Sequence, residues 1–495
     1  MFEAAEAGRK LGKAAYRDIE PEIHHRLLDL QQELRASDKS LIIIVSGVEG
    51  AGKGEVVDAL NRWFDTRDVQ THAFFDESDE ERERPRFWRF WRTLPARGTI
   101  SVLFGSWYTR PIVDHAFEKT TGSEFDQALQ RIAEHEVTLS RDGCMIVKLW
   151  FHLSKDEQQQ RLKKDVSIAK FKKSPLLEEY AKSYDRFAKV SERAIRQTDS
   201  GVAPWHIVEA TDSRYRDIET GRILIATLEE KLAAKVDKEA ETAAQRAIVT
   251  LTDPAAEKTV LDSVDLSQAL DDEKYEKRLK NLQKKLHGLA WTMHNQKKNA
   301  VLVFEGWDAG GKGSSIRRIT AAVDARLYRV IPVAAPTDEE LAHHYLWRFW
   351  RHLPRAGYMT MYDRSWYGRV LVERVEGFAD HHEWLRSYQE INQFEGHLIE
   401  HGTAVMKFWM HISAEEQLAR FEARKLDARK QHKITEEDWR NREKWDAYQQ
   451  AVNDMVAHTS TTHAPWTLVA GNDKKFARIQ ILETVCKRLG AIIDK

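Results

Sequence analysis

Ala300-Val301-Leu302-Val303-Phe304-Glu305-Gly306-Trp307-Asp308-Ala309-Gly310-Gly311-Lys312-Gly313 runs from five apolar residues straight into a loop of pattern G-x-x-x-x-G-K-G. The apolar run has the length and β-branched content of a buried parallel strand. The glycines let the backbone curl so that several N–H groups point inward, and a helix starting at the lysine adds its positive end. Lys312 brings a mobile ammonium to outer phosphates, the P-loop (Walker A) arrangement. Gly306, Gly310, Gly311, Gly313 and Ser314 are therefore candidate phosphate-binding positions. The same string stands earlier, where Leu41 to Val45 leads into Gly47 to Gly54. A turn without a ligand would account for one such loop. Two, each after an apolar strand, need another reason.

That reason is an internal duplication. Gly52-Lys53-Gly54 returns as Gly311-Lys312-Gly313, an offset of 259. Trp88-Arg89-Phe90-Trp91-Arg92 returns as Trp347-Arg348-Phe349-Trp350-Arg351, and Ser106-Trp107-Tyr108 as Ser365-Trp366-Tyr367. Lys148, Trp150 and His152 return as Lys407, Trp409 and His411 at the same offset. Ala203-Pro204-Trp205 recurs as Ala464-Pro465-Trp466 at offset 261, so the second copy gained two residues between His411 and Ala464. The period is too long for a solenoid, so each copy is a whole domain. We place the domains at 1–232 and 262–495, joined by a polar, alanine- and lysine-rich connector over 233–261. In each copy a charged helical segment (16–35, 275–295) precedes the first strand. Further strand candidates are Tyr358 to Tyr362, Ala404 to Met410 and Trp466 to Val469. Strand, glycine loop, helix, strand in that order gives an α/β domain on a parallel sheet.

Composition limits the function classes. At 42% apolar and 31% charged residues the chain is globular, and its 495 residues exceed one ordinary core. No apolar run has membrane-spanning length, and the first residues lack a basic region followed by an apolar stretch. Two cysteines, Cys144 and Cys486, form neither a disulfide framework nor a metal cluster, which fits a reducing cytoplasm. A net charge of −1 would not draw the chain to nucleic acid, so any polyanion site is a local basic patch. A homo-oligomer is compatible with this sequence.

Position 313 is glycine where such loops usually carry the Ser or Thr that holds Mg²⁺, and Ser314 comes one residue late. The metal would then rest on carboxylates. Asp308, inside the loop, and Asp363, at a strand end in the Walker B position, are the candidates. At offset 259 Asp308 corresponds to Glu49, Asp363 to Phe104 and Arg364 to Gly105. Phosphoryl transfer depends on metal placement and charge compensation, so the second half is expected to catalyse and the first to be a degenerate copy.

The strings Gly306–Gly313, Tyr362-Asp363-Arg364-Ser365-Trp366-Tyr367-Gly368-Arg369 and Val372-Glu373-Arg374 resemble the polyphosphate kinase 2 family across nearly the whole chain. The tandem layout with a degenerate first copy resembles that family's two-domain subgroup. The resemblance implies two thymidylate-kinase-like, P-loop three-layer sandwiches with helical lids. It also implies Mg²⁺ as cofactor, inorganic polyphosphate as donor and AMP, giving ADP, as acceptor. Asp308, Lys312, Asp363 and Arg364 match the family's functional positions. The family's lid usually has Trp-Lys where this chain has His432-Lys433, so the lid match is partial. A relative acting on ADP or GDP, and an ATP-dependent nucleoside monophosphate kinase, are the alternatives.

The segment from Ala419 to Lys433 is rich in cations, with Arg420 and Arg424 four apart on one helical face. Arg420, Arg424, Lys425 and Lys433 are expected to track the polyanionic donor. Arg348, Arg351 and Arg369 are candidates to clamp the acceptor phosphate, although Trp347 and Arg348 also have counterparts in the degenerate half, which favours a structural role for them. The adjacent pairs His343-His344 and His381-His382 diverge on a helix and are expected at the surface.

Overall fold

The computed structural model describes residues 1–168, 183–234, 237–253, 258–428, 431 and 434–494. They fall into two compact units. One comprises Met1–Glu77, Arg89–Val236 and Asp338–His344; the other comprises Ser78–Trp88, Asp237–Thr337 and Tyr345–Lys495. Each unit therefore includes a short piece of the opposite half of the sequence. In the first, the Arg97 amide donates to the Ala342 carbonyl at 2.8 Å. In the second, Arg84 Nε donates to the Leu353 carbonyl (3.2 Å) and Arg355 pairs with Glu83 (2.6 Å).

The first unit holds a five-stranded sheet of β1 (Ser40–Gly47), β2 (Val69–Ala73), β3 (Ile100–Phe104), β4 (Cys144–His152) and β5 (Trp205–Glu209), in the order β2-β3-β1-β4-β5. The second repeats it with β6 (Asn299–Gly306), β7 (Tyr328–Pro332), β8 (Met359–Asp363), β9 (Thr403–His411) and β10 (Trp466–Ala470), in the order β7-β8-β6-β9-β10. All pairings are parallel. Central strands β1 and β6 are buried on both faces, which is why they read as unbroken apolar runs. The edge strands β2 and β7 are half exposed and carry polar residues, so no apolar run announces them. In the second unit Leu302, Phe304, Met361, Phe408, Ile319 and Ile481 pack into the core between sheet and helices. Helices flank both sheets, and β6 ends with β8 on one side and β9 on the other, the place where open parallel sheets bind ligands.

The second unit reaches back into the stretch read as a connector. Residues Lys238–Ile248 form a helix. Lys238 pairs with Asp380 at 2.6 Å, and the Thr252 amide donates to Asp454 at 2.7 Å. Among the described residues no helix is long and apolar enough to cross a membrane.

The lysine that recurs at offset 259 is a core residue. Lys407 has no exposed surface. Its ammonium donates to Glu395 Oε2 (2.7 Å), the Tyr367 hydroxyl oxygen (2.9 Å) and the Thr459 carbonyl (2.6 Å). Lys148 makes the same three bonds to Glu136, Tyr108 and Thr198. Desolvation pushes the Lys407 pKa down, and Glu395 opposes it by stabilising the charge. Lys407→Ala strands a buried carboxylate and is expected to cost roughly 3–5 kcal/mol, measured by urea denaturation. A loss of under 1 kcal/mol would show that the network is dispensable.

The histidine expectation needs correction. His344 and His382 are buried, not at the surface. The His344 ring lies edge-on to Trp91 (5.3 Å), and His381 stacks on Trp384 (4.6 Å). Aromatic neighbours draw His344 and His381 into the packing.

Candidate active site

The loop after β6 has the backbone its glycines allow. Gly306 has φ +146°, and a Cβ there would lie 2.5 Å from the Met410 Cβ and 2.7 Å from its nitrogen. Only glycine lets β6 pass β9 so closely. Lys312 opens the helix Lys312–Thr320, and its ammonium folds back to donate to the carbonyls of Gly306 (2.6 Å) and Trp307 (3.4 Å). Ser314, on the first turn, donates to the Gly311 carbonyl at 2.9 Å.

Asp363 ends β8, in register with Phe304 of β6. A Cβ added to Gly313 would stand 3.7 Å from Asp363 Oδ2. The carboxylate thus lies beside the first helical turn, where a P-loop normally presents its hydroxyl. Arg364 follows with φ +65°, a left-handed conformation that costs an arginine about 1–2 kcal/mol. Its guanidinium lies 3.4 Å from Asp308 Oδ1 and 3.5 Å from Glu437 Oε1. Burial works against that charge, but Asp308, Glu437, Glu305 and Asp363 overcome it, so the Arg364 pKa is raised. Asp308 also accepts from Asn441 Nδ2 (2.9 Å), and its carbonyl from Gln417 (3.2 Å).

The expected catalytic residues therefore converge. Asp308, Lys312, Asp363, Arg364, Gly310, Gly311, Gly313, Ser314, Arg420 and Arg424 all line a cleft of about 580 Å³; Gly306 lies in a small adjoining pocket. Arg317, Lys474 and Arg478 line the cleft too. Sequence reading missed them, and the alignment that exposed the other losses would have found them. Their counterparts at offsets 259 and 261 are Asp58, Ser213 and Asp217. Glu305 was missed as well. It is buried beside the loop, accepts from Ser365 Oγ at 2.8 Å, and burial raises its pKa. Its counterpart is Ser46.

Other residues from the sequence reading are engaged within the protein or lie away from the cleft. Arg420 is only 5% exposed, and its donors are taken by Glu416 (2.6 Å) and by the carbonyls of Ala309 (2.9 Å), Gly471 (2.6 Å) and Asn472 (2.9 Å). Arg161 makes the equivalent bonds to Glu157, Gly50, Ala210 and Thr211. A clamp present in both halves holds the loop in shape. Lys425 pairs with Glu422 (3.0 Å) over the Trp439 ring and is not among the described residues that line the cleft. Lys433 lies outside the described residues. Arg348 donates to the Ala334 carbonyl (3.1 Å), Arg351 lies over Trp347, and Arg369 pairs with Glu373 (3.1 Å) over Tyr345. None of these three lines the cleft.

His411, at the end of β9, supports the loop from behind. Its Nδ1 accepts from the Trp307 indole N–H at 3.3 Å, so the ring must be neutral on that side. Burial lowers its pKa to about 4. A histidine held neutral in the fold but free to charge when unfolded costs stability as pH falls from its ordinary value near 6.5 towards 4. The full loss is roughly 3 kcal/mol, at 1.36 kcal/mol per unit. His411→Gln is expected to flatten the fall in stability between pH 7 and pH 4.5, read from urea midpoints. An unchanged slope would show that His411 does not titrate in this way.

The family model for "Polyphosphate kinase 2 (PPK2)" matches residues 10–236 and 269–492. A polyphosphate:AMP phosphotransferase of Pseudomonas aeruginosa is 45% identical, covering 100% of both chains. One from Acinetobacter johnsonii is 38% identical over 96% of this chain and 95% of its own. The crystal structure assigned to polyphosphate kinase 2 of Pseudomonas aeruginosa PA01 superposes with a TM-score of 0.89 at 44% identity, covering 100% of both chains. The duplicated parallel sheets, the paired loops and these full-length likenesses lead to one conclusion: the chain belongs to the polyphosphate kinase 2 family.

Proposed function

We propose that this protein transfers the terminal phosphate of inorganic polyphosphate to AMP, giving ADP and a shortened chain, and that the second unit does the chemistry. One observation carries the assignment of donor and unit. Among the described residues lining the second unit's cleft there are seven cations and three carboxylates, a surface suited to a polyanion. The full-length relatives named for polyphosphate and AMP support the acceptor.

Lys312 and the loop amides hold the donor's outer phosphates, and Arg317, Arg424, Lys474 and Arg478 continue the positive track along the chain. Asp308 and Asp363 are hard oxygen donors on the same cleft and fit Mg²⁺. When bound there, the ion would neutralise charge on the phosphates. Arg364 turns its guanidinium into the cleft and offsets charge that develops on the moving phosphoryl group. AMP needs little help from a base, since a phosphate monoester with its second pKa near 6 is already mostly dianionic at neutral pH. In-line placement of its oxygen is therefore the main requirement.

Purified protein incubated with AMP, Mg²⁺ and polyphosphate, without ATP, is expected to form ADP. ATP serving equally well as donor would make it an ordinary nucleoside monophosphate kinase. ATP accumulating from ADP as readily as ADP from AMP would overturn the acceptor. Arg424→Ala should raise the KM for polyphosphate several-fold and leave that for AMP unchanged, whereas Lys425→Ala should change neither. An effect of Arg424→Ala on AMP alone would remove the cation track from the donor site.

A further inference from the structure

We infer that the first unit's cleft is a metal-independent site for a nucleoside monophosphate, distinct from the catalytic cleft and closed to polyphosphate. The cleft measures about 810 Å³, larger than its catalytic counterpart and within the range of about 300–1,000 Å³ typical of small-molecule sites.

Its phosphate loop is intact. Gly50 and Gly52 keep left-handed conformations at φ +83° and +76°, and Lys53 stands at the mouth of its helix. Two arginines pin the loop carbonyls from behind, Arg161 on Gly50 (3.1 Å) and Arg216 on Ala51 (3.3 Å). Arg216 is 1% exposed and corresponds to Ala477, so the first unit has a clamp that the catalytic one lacks. A loop held this firmly still presents its amides to an anion.

Among the described residues this cleft carries less positive charge than its counterpart. Among the described residues lining this cleft are two cations, Lys53 and Arg161, and three carboxylates, Glu49, Glu55 and Asp212. Lys53 is itself paired with Glu49 at 3.1 Å. Where the catalytic cleft has Arg364 and Lys474, this one has Gly105 and Ser213. Among the described residues a chain of many phosphates finds little compensation here, whereas the loop suits a single phosphate.

Aromatic surface has replaced the lost charge. Phe104 stands in place of Asp363, Phe74 of Val333 and Phe75 of Ala334, and all three phenylalanines line the cleft. Phe75 is 81% exposed. Exposed Phe75, flanked by half-buried Phe74 and Phe104 beside a one-phosphate cradle, matches a flat base joined to a single phosphate, with stacking supplying contact area. Without a carboxylate at position 104, the site binds without transferring.

The test is photolabelling of the full-length protein with 8-azido-AMP in EDTA, followed by peptide mapping. Label is expected on peptides within 69–113, displaced by AMP and unaffected by polyphosphate. It should fall at least ten-fold in Phe75→Ala, a change at an exposed position that leaves the fold intact. Labelling confined to the second unit would overturn the inference. So would first-unit label that polyphosphate displaces and AMP does not.

Discussion

Lys312→Ala is expected to lower kcat by at least about a thousand-fold, whereas Lys53→Ala leaves it within a few-fold of the parent. The two lysines occupy equivalent loop positions, and both fold back onto loop carbonyls. Their surroundings differ. Lys312 shares its cleft with Asp308, Asp363 and Arg364, while Lys53 is paired with Glu49 and faces Phe104 and Gly105. An ammonium without a carboxylate-held metal and a guanidinium can hold a phosphate but cannot offset charge developing during transfer. Asp363→Asn should resemble Lys312→Ala, with the loss in kcat rather than in AMP binding, measured by steady-state kinetics with both substrates varied. Comparable losses from Lys53→Ala and Lys312→Ala, in protein shown to be folded, would mean that both units catalyse.

Arg364→Gly is expected to remove activity to a similar degree, yet to leave stability within about 1 kcal/mol of the parent. Arg364 holds a left-handed φ of +65°, and its counterpart Gly105 relaxes into the same turn at +81°. Releasing that strain recovers about 1–2 kcal/mol. Against it stand the added entropy of glycine in the unfolded chain, about 0.5–1 kcal/mol, and the pairs with Asp308 and Glu437. Those pairs are long, and the arginine is 43% exposed, so water screens them. Arg364→Ala loses the pairs and keeps the strain. It should be equally inactive and less stable than Arg364→Gly by about 1 kcal/mol, read from urea midpoints. An alanine variant as stable as the glycine variant would show that no strain is stored at this position. If strain is stored at Arg364, the first copy, with Gly105, holds the relaxed form of the same turn.

These contrasts indicate how far the residues alone could be read. The central strands were legible because β1 and β6 are buried on both faces, so burial writes itself as an unbroken apolar run. The loop, Asp363 and Arg364 were legible because the duplication supplied an internal control, in which each position is compared with a copy of itself. Arg420 was misleading for a physical reason. A basic residue on a helix face looks the same in sequence whether it points to a ligand or, like Arg420, into a ring of carbonyls. Glu305 differs from its counterpart Ser46, but only the structure shows that its carboxylate is buried beside the loop.

The sequence by itself determined the two-fold repeat, the parallel α/β sheets, the paired glycine-rich loops and the absence of Asp363 and Arg364 counterparts in the first copy. Only the tertiary structure decided which cations reach the cleft and which are consumed as clamps. It alone also assigned Ser78–Trp88 to the second unit and Asp338–His344 to the first. Those segments are equivalent under the duplication: 79 plus the offset of 259 is 338. Periodicity is indifferent to which copy packs where. Side-chain direction and chain crossing are set by packing across distant residues, and no local pattern of residues encodes that choice.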